Sequence, residues 1–182
     1  MLVLYIYFII SNLIPNDADS FASIGLNFIY NQNYDSSFYY FNKIVEKYPE
    51  HPAGYFFLSY LCDLYNSDFL TDTYQSDFEQ YSEKAIEFSE KLKLSNKAEG
   101  YFFKGAMLFS KALNYANNGD YIRALNFATP AYNELKRSIE LNNSIYDAEL
   151  GIGVFIFLKG TLETSIFSNN SQQQEGINHI LI

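Results

Sequence analysis

Apolar residues recur at helical spacing along most of the chain, and short polar stretches separate the apolar segments. In the segment Ser20–Tyr30, the residues Phe21, Ile24 and Phe28 follow one another at intervals of three and four, as on one face of an α-helix. Further segments with helical patterning run up to Tyr48 and then over Pro52–Tyr65, Phe78–Leu94, Ala98–Asn117, Tyr121–Leu141, Ile145–Leu162 and Gln172–Ile182. The sequence therefore predicts an all-α fold.

Two of these segments carry a predicted irregularity. The stretch Asn66–Asp77 is polar, contains Asp and Thr, and is predicted to form an inserted loop. Pro130 lies inside the segment Tyr121–Leu141, where it removes a helical hydrogen bond and predicts a kink.

Small residues occur at regular intervals in the first helix of each predicted pair. Gly25, Ser59, Gly105 and Gly151 are separated by 34, 46 and 46 residues. A period of about 34 is typical of a helix-turn-helix repeat whose units stack into a solenoid, and the longer intervals predict insertions. Because such solenoids are mostly binding scaffolds, the spacing favours a binding function over an enzymatic one.

The segment Phe21–Pro49 resembles the tetratricopeptide repeat. It contains an aromatic residue, then Ile24-Gly25, Phe28, Tyr34, the small Ser37, Phe41 and a closing proline. The resemblance implies an antiparallel helix-pair solenoid of about four pairs over residues 17–182, the last pair incomplete. It also implies that Gly25 lets two helices approach closely while Ser37 fills the facing notch. The segments EGYFFKGAMLF and YDAELGIGVFIFLKG look like those of bacterial envelope-type repeat proteins.

The resemblance also implies a binding surface, because the first helix of each pair lines the inner side of such solenoids. We call this surface the concave face. Its predicted residues, offered as partner-binding residues, are Leu26, Tyr30, Phe56, Tyr60, Phe102, Phe109, Ile152 and Ile156. The charged exceptions on it are Asp63 and Glu99. Such a face suits a peptide or partner helix from another protein. The alternative is a structural role, with the face filled by the protein's own downstream chain.

The segment Met1–Asn16 begins with fourteen residues that carry no charge. They are too few to span a bilayer of about 30 Å as a helix, and their length suits the core of an export signal. This interpretation predicts a location in the periplasm or cell envelope, with membrane association only through this segment if it is not cleaved. The alternative is a first helix or strand packed on the solenoid, in a cytoplasmic protein.

The predicted helix Gln172–Ile182 ends without a polar cap and carries an apolar stripe formed by Ile177, Ile180 and Leu181. Such a stripe needs a packing partner. The sequence therefore favours the interpretation that this chain is a fragment of a longer repeat array.

Charge and composition narrow the classes of partner. The chain has 12 basic and 21 acidic residues, which gives a net charge of −9. Neutralising phosphates requires clustered Lys and Arg, so nucleic acid is not predicted as a partner. The predicted partner is another protein or a peptide, and no small-molecule substrate is evident.

Candidate catalytic and metal-binding residues are few. The histidines are His51, predicted as a solvated turn residue, and His179, which has no second metal ligand nearby in the sequence. The single cysteine, Cys62, is predicted to be a small core residue. Gly151 and Gly153 form a GxG inside an apolar helix without a preceding strand, which does not favour a phosphate loop. No catalytic residue, cofactor or metal is predicted.

Overall fold

The structure is a computed structural model that describes residues 14–167, and every regular element within this range is an α-helix. In chain order the helices are α1 (Asn16–Tyr30), α2 (Tyr34–Lys47), α3 (Pro52–Phe69), α4 (Gln75–Leu92), α5 (Lys97–Asn117), α6 (Tyr121–Leu141) and α7 (Tyr146–Phe167). The predicted all-α fold is confirmed. None of these helices is both long and apolar enough to cross a membrane. The segment Met1–Leu13, the predicted helix Gln172–Ile182 and His179 lie outside the described residues.

Each helix packs mainly against the helix before it and the helix after it in the chain. The connections between them are only three to five residues long, which makes successive helices antiparallel. The pairs α1–α2, α3–α4 and α5–α6 therefore stack in sequence, and α7 packs on α6. This arrangement is the helical solenoid that the spacing of small residues predicts.

Small residues permit the close contact inside the pairs. A Cβ added to Gly25 would overlap the ring of Phe41, and one added to Gly105 would lie 2.9 Å from the backbone nitrogen of Leu135. Ser37 Oγ donates a hydrogen bond of 3.0 Å to the carbonyl oxygen of Gly25. The implied contact between Gly25 and Ser37 is thus present in the first pair.

The second pair replaces the glycine contact with a polar one. Ser59 Oγ and Ser82 Oγ are 2.8 Å apart and both side chains are fully buried. Ser82 Oγ also donates to the carbonyl oxygen of Phe78 at 2.6 Å, so neither hydroxyl is left unsatisfied. A serine pair therefore fills the position that Gly25 and Ser37 occupy in the first pair.

The additional residues in the two 46-residue intervals lengthen the helices and do not form an inserted loop. Helix α1 ends five residues after Gly25, whereas α3 ends ten residues after Ser59 and α5 ends twelve after Gly105. The extra five to seven residues add about 8–10 Å of helix at 1.5 Å per residue. The predicted loop over residues 66–77 is therefore wrong, because α3 runs to Phe69 and α4 begins at Gln75.

The short turn between α3 and α4 is held by Asn66 and by aromatic side chains. Asn66 Oδ1 accepts a hydrogen bond of 3.0 Å from the backbone nitrogen of Tyr74, and Leu70 ends α3 in the left-handed conformation with φ of 49°. The ring of Tyr65 lies 4.6 Å from that of Phe69 and 4.9 Å from that of Tyr74, measured between centroids. These aromatic contacts stabilise the last turn of α3, where the polar residues of the sequence predict a loop.

The predicted start of the first helix differs from the structure. Helix α1 begins four residues before the predicted start at Ser20. Asp17 lies in its first turn and receives hydrogen bonds from Lys47 and from the hydroxyl of Tyr48, which hold its pKa at about 2. Helix α6 has the predicted bounds and continues across Pro130, which is exposed to solvent; the kink at Pro130 stays a prediction.

An ion-pair network ties three helices together near their ends. Glu134 of α6 contacts Lys104 of α5 at 2.7 Å and Lys93, which follows α4, at 2.8 Å. Glu90 of α4 contacts both lysines, so that each lysine lies between two carboxylates. The network links the second helix pair to the third.

Gly105→Ala tests the close contact between α5 and α6. The new methyl group would meet Leu135, including its backbone nitrogen, so α6 must shift. We expect the free energy of unfolding to fall by about 1–3 kcal/mol in urea denaturation, despite the better helix propensity of alanine.

Asn126→Ala, at an exposed position on α6, is the matched control and should change stability by less than about 0.5 kcal/mol. An unchanged or increased stability of the Gly105 variant would contradict the contact.

Candidate functional site

The contacts between helices of successive repeats indicate which helices would line the predicted concave face. α3 contacts α5 and α5 contacts α7, whereas the second helices α2, α4 and α6 make no comparable contact with one another. Elements on the inner side of a curved stack approach one another more closely than those on the outer side. The contacts therefore favour α3, α5 and α7 as the inner layer, and α1 is assigned to it as the first helix of its pair.

The predicted residues of the concave face differ in exposure. Tyr30 is 61% exposed, while Leu26 and Tyr60 are half-buried and pack against the main apolar cluster of the core. The remaining five are buried, with exposures of 9% or less: Phe56, Phe102, Phe109, Ile152 and Ile156. A partner can reach the first three side chains directly, and its contact with the buried five stays a prediction.

The structure brings most of this set together. Leu26, Phe56, Tyr60, Phe102, Ile152 and Ile156 all belong to one apolar cluster or pack against it. Phe109 instead belongs to a second cluster, with Leu108, Ala131 and Val154, at the contact of α5, α6 and α7. Tyr30 lies at the exposed end of α1.

Two carboxylates accompany the apolar residues of the inner layer. Asp63 of α3 accepts a hydrogen bond of 2.6 Å from Asn114 Nδ2 of α5. Burial raises the pKa of Asp63, although the hydrogen bond from Asn114 acts in the opposite direction. Burial also raises the pKa of Glu99, near the start of α5. A cationic group placed beside either carboxylate would offset this cost of burial.

A second polar contact lies where the lengthened helices α4 and α5 meet. Lys111 is 5% exposed and pairs with Glu79, which also accepts a hydrogen bond of 3.0 Å from the hydroxyl of Tyr115. Neither Lys111 nor Asn114 is among the residues predicted from the sequence. Both are polar residues in a predicted helix whose neighbouring residues, from Met107 onwards, are mostly apolar, and this pattern could have indicated them.

Neither a reactive thiol nor a group of metal ligands is found among the described residues. Cys62 is fully buried, and burial raises its pKa to about 12, so that it remains a thiol. Within residues 14–167 no group of three or more His, Cys, Asp or Glu side chains is placed to hold a metal ion. The side chains that the inner layer does present are mainly apolar ones, with Asp63 and Glu99 among them.

His51 is not the solvated turn residue that the sequence predicts. Its Nδ1 accepts a hydrogen bond of 3.2 Å from the backbone nitrogen of Ala53 and so caps α3. Its ring lies edge-on to Phe103, with centroids 5.5 Å apart, and burial lowers its pKa to about 4. The side chain has a structural role, since Nδ1 must be unprotonated to accept the hydrogen bond.

Comparison with known proteins supports the same class of fold. A tetratricopeptide repeat-containing protein of Methanocaldococcus jannaschii is 26% identical over 141 residues. The match covers 78% of this chain and 20% of that protein, so this chain spans about one fifth of its relative's length. No family model matches the chain, and no solved structure matches it. The relative and the helix pairing together support a tetratricopeptide-like helical repeat.

His51 predicts a specific dependence of stability on pH. Its pKa is lowered in the folded chain, so the unfolded chain takes up a proton first as the pH falls below about 6.5. The free energy of unfolding should thus be highest above this pH and fall by roughly 2–4 kcal/mol between about pH 6.5 and pH 4.

His51→Asn keeps a side-chain acceptor for the cap but does not titrate. We expect this variant to lose that part of the pH dependence in urea denaturation measured from pH 4 to pH 7.5. Parallel pH profiles for the variant and the original chain would show that His51 is not buried in its neutral form.

Proposed function

We propose that this protein is a non-enzymatic scaffold that docks a peptide or a partner helix on its concave face. The observation that carries the proposal is the inner layer formed by the first helices, where Tyr30, Leu26 and Tyr60 are accessible. The tetratricopeptide-like relative supports a role in protein interaction in general. Helical repeats of this class are typically non-enzymatic scaffolds.

The chemistry of the inner layer suggests what such a partner carries. Helices α1 and α3 contain no Lys or Arg, while Asp63 and Glu99 lie among the apolar side chains. A segment with apolar side chains and one or two basic residues would match both features, because a cation beside Asp63 favours its charged form. We therefore propose an apolar, basic peptide or helix as the partner.

The alternative function is a structural one, in which the concave face is covered by the protein's own downstream chain. It is favoured by the burial of Phe56, Phe102 and Phe109, which behave as core residues in the described part of the chain. Phe102→Ala should accordingly lower the free energy of unfolding by about 3–5 kcal/mol.

Binding to a defined peptide tests the proposal. A displayed library of random 16-residue peptides would be selected against the purified chain, and the enriched peptide measured by calorimetry. Tyr30→Ala should weaken binding about 30-fold, or 2 kcal/mol, at a hot-spot position. Enriched peptides should contain both apolar and basic residues.

Tyr39→Ala is the matched control, since Tyr39 is exposed to a similar degree, 57% against 61%, but lies on α2 in the outer layer. It should leave the affinity unchanged. Equal losses for both variants, or no enriched peptide at all, would contradict docking on the concave face.

A further inference from the structure

Exposed apolar side chains are concentrated at one edge of the solenoid. Because successive helices are antiparallel, the α1–α2, α3–α4 and α5–α6 turns all lie at the same edge, which we call the turn edge. Of the eleven large apolar side chains that are exposed among the described residues, six belong to these turns or to the adjoining helix ends. They are Tyr30, Phe69, Leu70, Tyr121, Ile122 and Leu125. Clustered exposed apolar residues are typical of a contact surface.

Direct contacts join the three turns to one another. Tyr34, which begins α2 after the first turn, has its ring 5.7 Å from that of Phe69 in the second turn, measured between centroids. Glu79, near the start of α4, accepts a hydrogen bond of 3.0 Å from the hydroxyl of Tyr115, near the end of α5. The second turn, with Phe69 and Leu70, is thereby linked to the turns on both sides of it.

Leu70 has a backbone conformation that an apolar residue does not favour. Each of the three turns contains one residue in the left-handed conformation: Gln32 with φ of 53°, Leu70 with φ of 49° and Gly119 with φ of 79°. Glycine and asparagine adopt this conformation most easily, whereas leucine is strained in it. Leu70 is also 85% exposed, so burial of its side chain does not offset the strain. Strain without a gain in packing points to a role outside the fold.

The second turn holds its apolar side chains in place before any partner binds. The backbone nitrogen of Leu70 donates a hydrogen bond to the carbonyl oxygen of Asn66. The ring of Phe69 lies between those of Tyr65 and Tyr34, with centroid distances of 4.6 and 5.7 Å. Side chains that are already ordered lose little conformational entropy when a partner binds them.

The turn edge is acidic. Within residues 31–36, 67–77 and 117–125 there are five acidic residues and one basic residue, Arg123, which pairs with Asp120. The five acidic residues are Asp35, Asp68, Asp72, Asp77 and Asp120. The exposed apolar side chains of the turns are thus surrounded by carboxylates.

The opposite edge, formed by the other turns, has the reverse charge. Residues 43–51, 91–97 and 136–140 contain seven of the chain's 12 Lys and Arg residues and three acidic ones. The charges are therefore separated along the helix axes. A partner that carries Lys or Arg is attracted to the turn edge, and an anionic membrane surface is repelled from it.

We propose that the turn edge docks a segment of another protein in which apolar residues are flanked by Lys or Arg. Leu70 and Ile122 are the apolar anchors of this contact, and the carboxylates around them pair with the basic residues of the partner. The proposal goes beyond the proposed function, because this surface lies at the ends of the helices and not on the concave face. Tyr30 lies where the two surfaces meet, so the test relies on Leu70 and Ile122.

Peptide selection with a variant as competitor tests the proposal. A displayed library of random 16-residue peptides would be selected on the immobilised full chain in an excess of the soluble double variant Leu70→Asn with Ile122→Asn. The enriched peptide should contain apolar and basic residues and should bind the double variant about 30-fold more weakly in calorimetry. The control Leu94→Asn with Tyr146→Asn changes exposed residues of the opposite edge, at 88% and 68%, and should keep the affinity.

Thermal unfolding distinguishes docking by Leu70 from a structural role. Asparagine tolerates the left-handed conformation better than leucine does, so Leu70→Asn alone should melt at the same temperature or a higher one. The same variant should bind the enriched peptide about 10-fold more weakly. A lower melting temperature would show that Leu70 stabilises the turn and would count against the proposal.

Other results would also overturn the proposal. No enriched peptide, or peptides without Lys and Arg, would exclude a basic partner at the turn edge. A dimer in sedimentation velocity that the double variant abolishes would assign the edge to a second copy of the chain. Flotation with phosphatidylcholine vesicles that the double variant abolishes would assign it to a lipid surface.

The competitor keeps this test separate from that of the concave face. The double variant leaves Leu26 and Tyr60 unchanged, so peptides that bind the concave face bind the competitor as well and are removed. Enrichment only in the absence of the competitor would support the concave face and overturn docking on the turn edge. Enrichment in its presence, with no peptide that depends on the concave face, would support the turn edge alone.

Discussion

The close approach of two helices within each pair is the constraint on which this solenoid depends. Gly25 lies against the ring of Phe41 and Gly105 against Leu135, while Ser59 and Ser82 share a hydrogen bond in the middle pair. A larger side chain at these positions would separate the helices and expose the apolar residues between them. Because each pair also packs on the next one, an error in one contact would change the stacking of its neighbours.

The same constraint explains which parts of the fold are predictable from the sequence. The helices follow from apolar spacing, and the pairing follows from the recurrence of the small residues Gly25, Ser59 and Gly105. The length of α3 does not follow in this way, because Asn66 and its polar neighbours suggest a loop. The helix there depends on contacts among Tyr65, Phe69 and Tyr74, which are visible only once the turn has formed.

The sequence predicts which helices line the candidate site, but it does not predict which of their side chains are exposed. The resemblance places Phe56 and Phe102 on the inner helices, and helical spacing alone cannot distinguish an apolar binding face from an apolar core. In the structure both side chains are buried, and the rings of both contact Phe103 of α5. Lys111 and Asn114 illustrate the opposite case, since their burial depends on partners, Glu79 and Asp63, that are about 30 and 50 residues away in the chain.

The ion pairs among Glu90, Lys93, Lys104 and Glu134 have a consequence for how the molecule opens. Repeats that touch only their neighbours can unfold one at a time, as weakly coupled units. Here Lys93 contacts Glu134 and Lys104 contacts Glu90 across the two pairs, so separating the second pair from the third breaks both contacts and leaves each lysine with one carboxylate of its own pair. These two contacts therefore couple the opening of α4 to that of α5 and α6, beyond the apolar packing between the pairs.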